Sequence, residues 1–447
     1  MSSWKKVTLE EISESINTGL DAIRRAPIVD FETDIKCLRI QDISQNKPIE
    51  SWGFTEVKNT DYSKFRLMKD DIIMARTCST GICFLAKQDL PAVFNNGLAR
   101  IRLKKDIAYP TYVYYVFKSK SFISYIDGIS GGTSVQLNMK IGDLSKYSFD
   151  LPPLNIQKEI ANKLSDLDKK IQLNTQINQT LEQIAQTIFK SWFIDFDPVH
   201  AKANALASGQ TAEQATQAAM AVISGKNTQE LHRLQTANPE QYQQLWEIAE
   251  TFPSGFDEEG VPRGWEEREL SYLFEFLSGA QPPKSEHIYE EKEGYERFIQ
   301  NRDYSNDNHK TYIPISKKNK RCTEKDILMD KYGEAGKVRY GIKGAYNVAL
   351  AKIVPQKDNL REFLRSYFTQ DKIRNYLSSS SMASTRNSLN STTFTRMKVI
   401  VPNDFLLSTF DKLANEKIDK ILQIKQENIE LSKLRDYLLP KLLSGEV

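Results

Sequence analysis

The sequence predicts an α+β chain of two tandem mixed strand/helix modules, separated by two long helices that form an antiparallel coiled coil, arranged as a pseudo-twofold internal repeat. Three observations carry this reading. Matched segments recur in one order about 250 residues apart, a proline-launched heptad run closes each copy, and charge is spread unevenly along the chain.

The repeat is read from six matches. "WKKVTLEEI" at Trp4 pairs with "WEERELSYL" at Trp265, 261 residues on. "LRIQDIS" (Leu38–Ser44) pairs with "IQNRDYS" (Ile299–Ser305), sharing the Asp-x-Ser of Asp42/Ser44 and Asp303/Ser305. "KDDIIMARTCSTG" (Lys69–Gly81) pairs with "EKDILMDKYGEAG" (Glu324–Gly336), and "LARIRL" with "LAKIVP". "SGGTSVQLN" (Ser130–Asn138) pairs with "MASTRNSLN" (Met382–Asn390), and each copy then reaches its proline and long helix. One match is compatible with chance; six in register mark a tandem duplication. The predicted boundaries are 1–151 for the first module, 152–193 for the first long helix and 194–262 for a connector. The second module follows at 263–402 and the second helix at 403–447.

Inside each module, "DIIMAR" and "DILMDK" are apolar runs of strand length after an acidic turn. "TYVYYVFKSKSFISYI" (Thr111–Ile126) and "EFLRSYFTQDKIRNYL" (Glu362–Leu377) carry apolar residues at three- and four-residue spacing and each predict one amphipathic helix. The long helices begin after Pro152/Pro153 and Pro402, because proline disfavours a helical residue before it. Ile160, Leu164, Leu167, Ile171, Asn174, Asn178, Leu181, Ala185, Ile188 and Trp192 form a heptad seam. The copy places Phe410, Ala414, Lys417, Ile421, Ile424, Asn428, Leu431, Arg435, Leu438 and Leu442 at an offset of 250, with Ile418 and Leu434 able to replace the two cations. Asn178 and Asn428 occupy equivalent seam positions and are expected to meet near the midpoint of an antiparallel pair; a partly exposed face is the alternative. The connector, Ala- and Gln-rich and weakly amphipathic, reads either as a linker or as helices presented to a partner subunit.

The bulk numbers, 40% hydrophobic and 27% charged, are those of a soluble protein, and no apolar run approaches a membrane span or signal peptide. Cys37, Cys78, Cys83 and Cys322 lack CxxC spacing and the histidines at 200, 232, 287 and 309 do not cluster with them, so neither a metal nor a disulfide framework is expected and a reducing cytoplasm is the simpler location. The formal charge of +3 conceals a net of −7 over 194–262 (three basic, ten acidic) and +11 over 317–398 (eighteen basic, seven acidic). Residues 1–150 carry twenty-one basic against eighteen acidic side chains. That asymmetry points to a polyanionic partner for part of the chain; a solvated basic face is the bland alternative.

Catalytic signatures fail. "LPPL" and "QPPK" are not the Asp/Asn-Pro-Pro-Tyr/Phe loop of an amino-methyltransferase, "GEAGKV" has the wrong spacing for a phosphate loop, and no HExxH or G-x-S-x-G is present. The chain is read as non-catalytic by itself, with a cryptic DNA-modifying site, or a coiled-coil assembly role without DNA, as the competing readings. What remains suits recognition. "ARTCSTG", "SGGTSVQ" and "MASTRNS" offer hydroxyl, backbone and cationic donors to phosphates, and Arg, Asn and Gln can read base edges. The candidate DNA-binding residues of the first module are Arg39, Gln41, Arg76, Thr77, Ser79, Ser130, Gly131, Thr133, Ser134 and Gln136. Those of the second are Gln300, Asn301, Arg302, Lys331, Lys337, Arg339, Ser384, Thr385, Arg386 and Asn387. For any one of them a plain turn residue is the competing reading.

Three pieces are more specific: the Pro-Pro-x-x-x-Gln-x-x-Ile helix start of "LPPLNIQKEI", the segment "SWFIDFDPVHAKA", and the terminal "LLPKLLSGE". With the order of modules and helices, they make the chain resemble the specificity subunit of type I restriction–modification systems along essentially its whole length. The second helix start, "VPNDFLLSTF", departs from the pattern in lacking the second proline and the glutamine. The resemblance implies two target-recognition domains, each reading one half of a bipartite double-stranded DNA site, with the paired helices as a ruler. About 38 residues at ~1.5 Å span roughly 57 Å. It also implies two methyltransferase subunits and further restriction/translocase subunits as partners, in host defence against foreign DNA. Adenine-N6 methylation and ATP-dependent cleavage, with S-adenosylmethionine, ATP and Mg, would belong to those partners, and no cofactor to this chain.

Overall fold

A computed structural model describes residues 4–130, 138–305, 309–382 and 388–446. The chain divides into two compact units, one formed by residues up to Asn174 together with Glu427 onward, the other by Thr175–Gln426.

The first unit contains β1 (Lys5–Thr8), β2 (Ser13–Thr18), β3 (Ile28–Val29), β4 (Lys36–Leu38), β5 (Gly53–Thr55), β6 (Ile72–Ala75), β7 (Cys83–Leu85), β8 (Ala92–Phe94), β9 (Leu98–Leu103) and β10 (Ser148–Leu151). They form two four-stranded sheets, ordered β2-β9-β6-β7 and β3-β5-β4-β8, and the pair β1-β10. The all-apolar strand "IIMA" lies in the middle of its sheet and is buried throughout. Its alternate faces fill two cores: Ile72 and Met74 join Tyr112, Phe117, Phe122 and Leu164, whereas Ile73 and Ala75 join Trp52, Phe65 and Phe94.

The second unit repeats the plan with β11 (Glu266–Glu269), β12 (Phe274–Ser278), β13 (Tyr295–Ile299), β14 (Thr311–Pro314), β15 (Arg321–Cys322), β16 (Ile327–Asp330), β17 (Val338–Arg339), β18 (Gly344–Tyr346), β19 (Leu350–Pro355) and β20 (Lys398–Val401). The order β12-β19-β16-β17 copies the first sheet strand for strand. In the other sheet, the parallel pair β4-β8 recurs as β13-β18, with β5 and β14 as their antiparallel neighbours. Only the edge strand differs, β3 in one and β15 in the other.

Each helix expected after β9 and β19 is instead two. Pro110–Val116 is followed by Lys120–Ser130, with the Ser119 hydroxyl accepting from Phe122 N. Arg361–Thr369 is followed by Asp371–Met382, separated by extended Gln370. Periodicity alone sees a single run, because both pieces bury apolar residues at helical spacing.

The long helices span Leu154–Phe193 and Asp404–Ser444 and run antiparallel within each unit. Gln157 explains the first launch motif. Its fully buried amide accepts from Tyr109 N (2.7 Å) and donates to Ile107 O (2.9 Å) and Pro152 O (2.8 Å). In the second copy Asn403 caps the helix by accepting from Leu406 N, and buried Leu407 stands where the glutamine was. Along the seam, Ile160, Leu164, Asn174, Asn178, Ala185, Phe410, Ala414, Ile418, Ile421, Ile424 and Leu442 are buried, while Leu167, Ile171, Leu181, Ile188, Asn428, Leu431 and Leu438 are half-buried. Near the ends burial shifts to Phe189 and Leu439, because 3.6 residues per turn drift against a 3.5 repeat. Within the first unit, the Asn428 amide oxygen accepts from Asn174 Nδ2 at 2.9 Å. Arg435 is no flaw in its stripe, since it reaches Asp168 at 2.8 Å, which also accepts from the Tyr115 hydroxyl (2.8 Å).

The connector is folded. It forms helices Asp197–Ala207, Ala212–Ser224, Thr228–Ala237 and Pro239–Thr251, of which the last three start from capping residues Thr211, Asn227 and Asn238, and the second ends on left-handed Gly225. Lys202, 5% exposed, donates to Ala249 O, Glu250 O and Phe252 O at 3.2, 3.0 and 2.7 Å, and thereby caps the last helix.

Candidate nucleic-acid interface

The shared Asp-x-Ser element is a backbone turn. Asp42 accepts from Arg39 N (3.0 Å) and Arg39 Nε (3.2 Å); Asp303 accepts from Gln300 N (2.9 Å) and lies 3.1 Å from Arg297. Both carboxylates are buried, and the residue before each, Gln41 and Arg302, is exposed. Gln41 is exposed and, with its amide oriented to satisfy both ends, its oxygen accepts from Arg39 Nη2 at 2.8 Å. The Arg302 side chain is 58% exposed and touches Thr311 Oγ1 (3.4 Å), which also accepts from Gln300 Nε2 (3.2 Å). Asn301 is half-buried, its Oδ1 without a hydrogen-bond partner.

From this turn the same chain of backbone bonds runs through both modules. Asn95 N donates to Leu38 O, Arg76 N to Gly97 O, and Met139 N to Arg76 O (3.2, 2.9 and 2.9 Å). In the second module Asn347 N donates to Ile299 O, Lys331 N to Ala349 O, and Leu389 N to Lys331 O (3.0, 2.8 and 3.2 Å). Thr77 bridges Asn138, and Ser79 N donates to Thr77 O. The structure thus gathers the 39–41, 76–79 and 138–139 segments in one module and the 300–302, 331 and 388–389 segments in the other. Ser130 closes its helix; Gly131, Thr133, Ser134, Gln136, Ser384, Thr385, Arg386 and Asn387 lie outside the described residues.

Three cations among the candidate DNA-binding residues have partners within the protein. Arg76 Nε donates to Met139 O (3.1 Å) and Nη1 to Asn96 O (3.2 Å), stitching two loops together. Lys331, at the equivalent position and 8% exposed, donates to Ser278 Oγ (2.8 Å). Arg339 is buried against Asp330 at 2.7 Å and also pairs with Glu334. Burial pushes the Asp330 carboxyl up even with that guanidinium beside it. Lys337 also pairs with Glu334, at 2.8 Å. A cation bound to internal acceptors positions a loop more than it attracts a phosphate.

The hub of the cluster was missed in the sequence. Leu20 bridges Asn95 in parallel, as Ala280 bridges Asn347. The approach is so close that a Cβ on Gly19 would lie 2.3 Å from Asn95 O, and one on Gly279 2.1 Å from Asn347 O. The signal was available as "TGL" with "FNNG" and "SGA" with "YNVA". Among the described residues no group of three or more metal-ligating side chains occurs, and no helix is long and apolar enough to cross a membrane.

Two modules that repeat one loop cluster, each seated on paired long helices, define a duplicated recognition scaffold. Residues 1–183 and 262–435 match the type I restriction modification DNA specificity domain, leaving the four-helix insertion between the matched stretches. The specificity subunit of the type I restriction enzyme HindI of Haemophilus influenzae is 32% identical over 100% of both chains. That of MjaIX of Methanocaldococcus jannaschii is 27% identical over 85% of this chain and 78% of its own. A crystal structure of a type I restriction–modification S subunit from M. genitalium shares the fold with a TM-score of 0.53 at 16% identity, over 98% of this chain and 96% of the other. The chain belongs to the type I restriction–modification specificity-subunit family and is a DNA sequence-recognition subunit.

Proposed function

We propose that each module reads one half of a split DNA site, and that the paired helices set the gap and dock two methyltransferase subunits, which restriction/translocase subunits then join. The adenine methylation and ATP-driven cleavage, with their S-adenosylmethionine, ATP and Mg, reside in those partners, in the cytoplasm. The observation that carries this reading is the loop cluster repeated bond for bond around Arg76 and Lys331. Two copies of one recognition surface in one chain suit a site with two halves.

Mapping methylated adenines in DNA from cells carrying this subunit and its methyltransferase tests it. A split motif with a fixed gap is expected; a continuous palindrome would refute it. Gln41→Ala and Arg302→Ala, both exposed, are expected to relax readout in one half-site each, because base-edge contacts specify and phosphate contacts position. Lengthening both helices by one heptad adds about 10 Å, roughly three base pairs, and is expected to widen the gap alone.

A further inference from the structure

The two copies differ where the N-terminal strand of each module meets its long helix. In the first unit a groove of about 900 Å³ opens there, lined by Trp4, Ile107, Pro152, Pro153, Leu154 and Ile156, with Lys5, Glu11 and Asp106 as its charged lining among the described residues. Trp4 is half-buried and rests on the end of the second long helix, where a Cβ on Gly445 would lie 2.9 Å from its ring. The corresponding groove of the second unit holds about 180 Å³, and its wall contains the ion pairs Lys357–Asp404 (2.9 Å) and Arg268–Glu266 (2.6 Å).

Trp265, the counterpart of Trp4, is 6% exposed. Its ring lies 6.0 Å from Phe193, 5.7 Å from Phe196 and 6.3 Å from Phe252. Phe196 and Phe252 flank the four-helix insertion, which is absent from the duplicated pattern and falls outside the family match. The second copy therefore covers its tryptophan with aromatic side chains from its own insertion. The first copy keeps the tryptophan and a larger, more apolar groove, without those side chains.

We infer that the Trp4 groove is a docking site for an aromatic side chain carried on a helical segment of the methyltransferase subunit, and that the Trp265 side is closed to the same contact. The inference rests on the proposed assembly with methyltransferase. The chemistry of the occupant follows from the repeat, since phenylalanine rings from helix ends lie against the equivalent tryptophan in the second unit. An aromatic anchor in a pocket is the usual core of a protein–protein contact.

The test uses the full-length chain labelled with 5-fluorotryptophan, the Trp4 resonance being assigned with Trp4→Phe. On addition of the purified methyltransferase subunit, the Trp4 resonance is expected to shift and the Trp265 resonance to stay. Ile107→Glu, at a position 41% exposed, is expected to weaken methyltransferase binding at least tenfold without lowering Tm, whereas Arg268→Ala in the smaller groove leaves binding within twofold. A silent Trp4 resonance, or unchanged binding by Ile107→Glu, would overturn the inference while leaving the split-site reading intact. So would a Trp4 resonance that moves only on removal of residues 1–3, which would make the chain's own end the occupant. Failure of the unaltered protein to bind the methyltransferase would overturn the assembly reading and the inference together.

Discussion

Replacing Gln157 by leucine isolates the lock between the first module and its long helix. Leucine already occupies the equivalent position 407, so the side chain is compatible with this kind of helix start. The change removes three hydrogen bonds of 2.7–2.9 Å and leaves Tyr109 N, Ile107 O and Pro152 O without their partner in a site that water does not reach. A lost bond costs ~1 kcal/mol and a buried orphan group up to ~3 kcal/mol, so about 3 kcal/mol is expected after the gain from leucine's apolar surface. The first unit comprises Met1–Asn174 and Glu427–Val447, 174 + 21 = 195 residues. In that size range each kcal/mol moves Tm by ~2–4 °C, which gives roughly 6–12 °C.

Differential scanning calorimetry of the full chain reads this, with hydrogen exchange showing whether the loss falls on residues 107–109 and the helix start. Gln157→Glu supplies the sign. A glutamate keeps the acceptor for Tyr109 N but turns its other oxygen on two carbonyls, and burial raises its pKa above the unfolded value. Its stability deficit is therefore expected to be largest at neutral pH and to shrink as pH falls through that raised pKa, where the acid regains a donor. A Tm within 2 °C of the parent for Gln157→Leu, or a Gln157→Glu deficit that grows on acidification, would refute the reasoning.

Three further outcomes are expected. Lys202→Met removes three bonds to helix-end carbonyls and should speed amide exchange across residues 239–252 while β12–β20 stay protected. Burial first, and then the neighbouring Glu362, raise the Asp411 pKa against the Glu362 N–H it accepts; Asp411→Asn keeps an acceptor without the charge, so it should raise Tm at pH 7 by an increment that shrinks as pH falls through the raised pKa and vanishes only below the unfolded aspartate pKa of ~3.9. Asn174→Leu removes the bond from its Nδ2 to Asn428 Oδ1 and should cost ~1 kcal/mol in thermal melts, while Asn174→Leu with Asn428→Leu should cost less than the two single changes added, a non-additivity that a double-mutant cycle measures.

The duplication, the strands at Ile72 and Ile327 and the launch of both long helices were legible because each rests on local chemistry: an apolar run between turns, or a proline that a helix cannot contain. The insertion was harder. Its helices are weakly amphipathic, although Thr211 with Gln214 and Asn227 with Glu230 already spelled two capping boxes. The candidate interface was half legible. Sequence identified Arg39, Gln41, Arg76 and Gln300–Arg302 as polar loop residues, but which cations stay free is decided by folding. Lys331 and Arg339 look like surface charges until Ser278 and Asp330 arrive from neighbouring strands. Asn95 and Asn347 offered a repeated Asn and nothing more, because their role depends on Gly19 and Gly279, which pack beside them only in three dimensions.

The copies have kept their sheets and exchanged the polar contacts that hold each module to the helices. The first module reaches the pair through Tyr115, whose hydroxyl donates to Asp168, itself bound by Arg435 from the other helix. The second uses Tyr340, from a different loop: its hydroxyl donates to Glu182 (2.5 Å), and its ring lies under Arg365 (4.7 Å) and Lys425 (4.4 Å). Gln157 has no counterpart in the second copy, and Trp265 is enclosed where Trp4 is open. The Tyr115 and Tyr340 contacts each join a module to both helices, so each fixes the module's seating in its own unit and cannot be transferred without its partners on the helices. The loops proposed to face the DNA are free of that constraint. Readout can therefore diverge at Gln41 or Arg302 while the seating residues, buried and paired, hold the module in place.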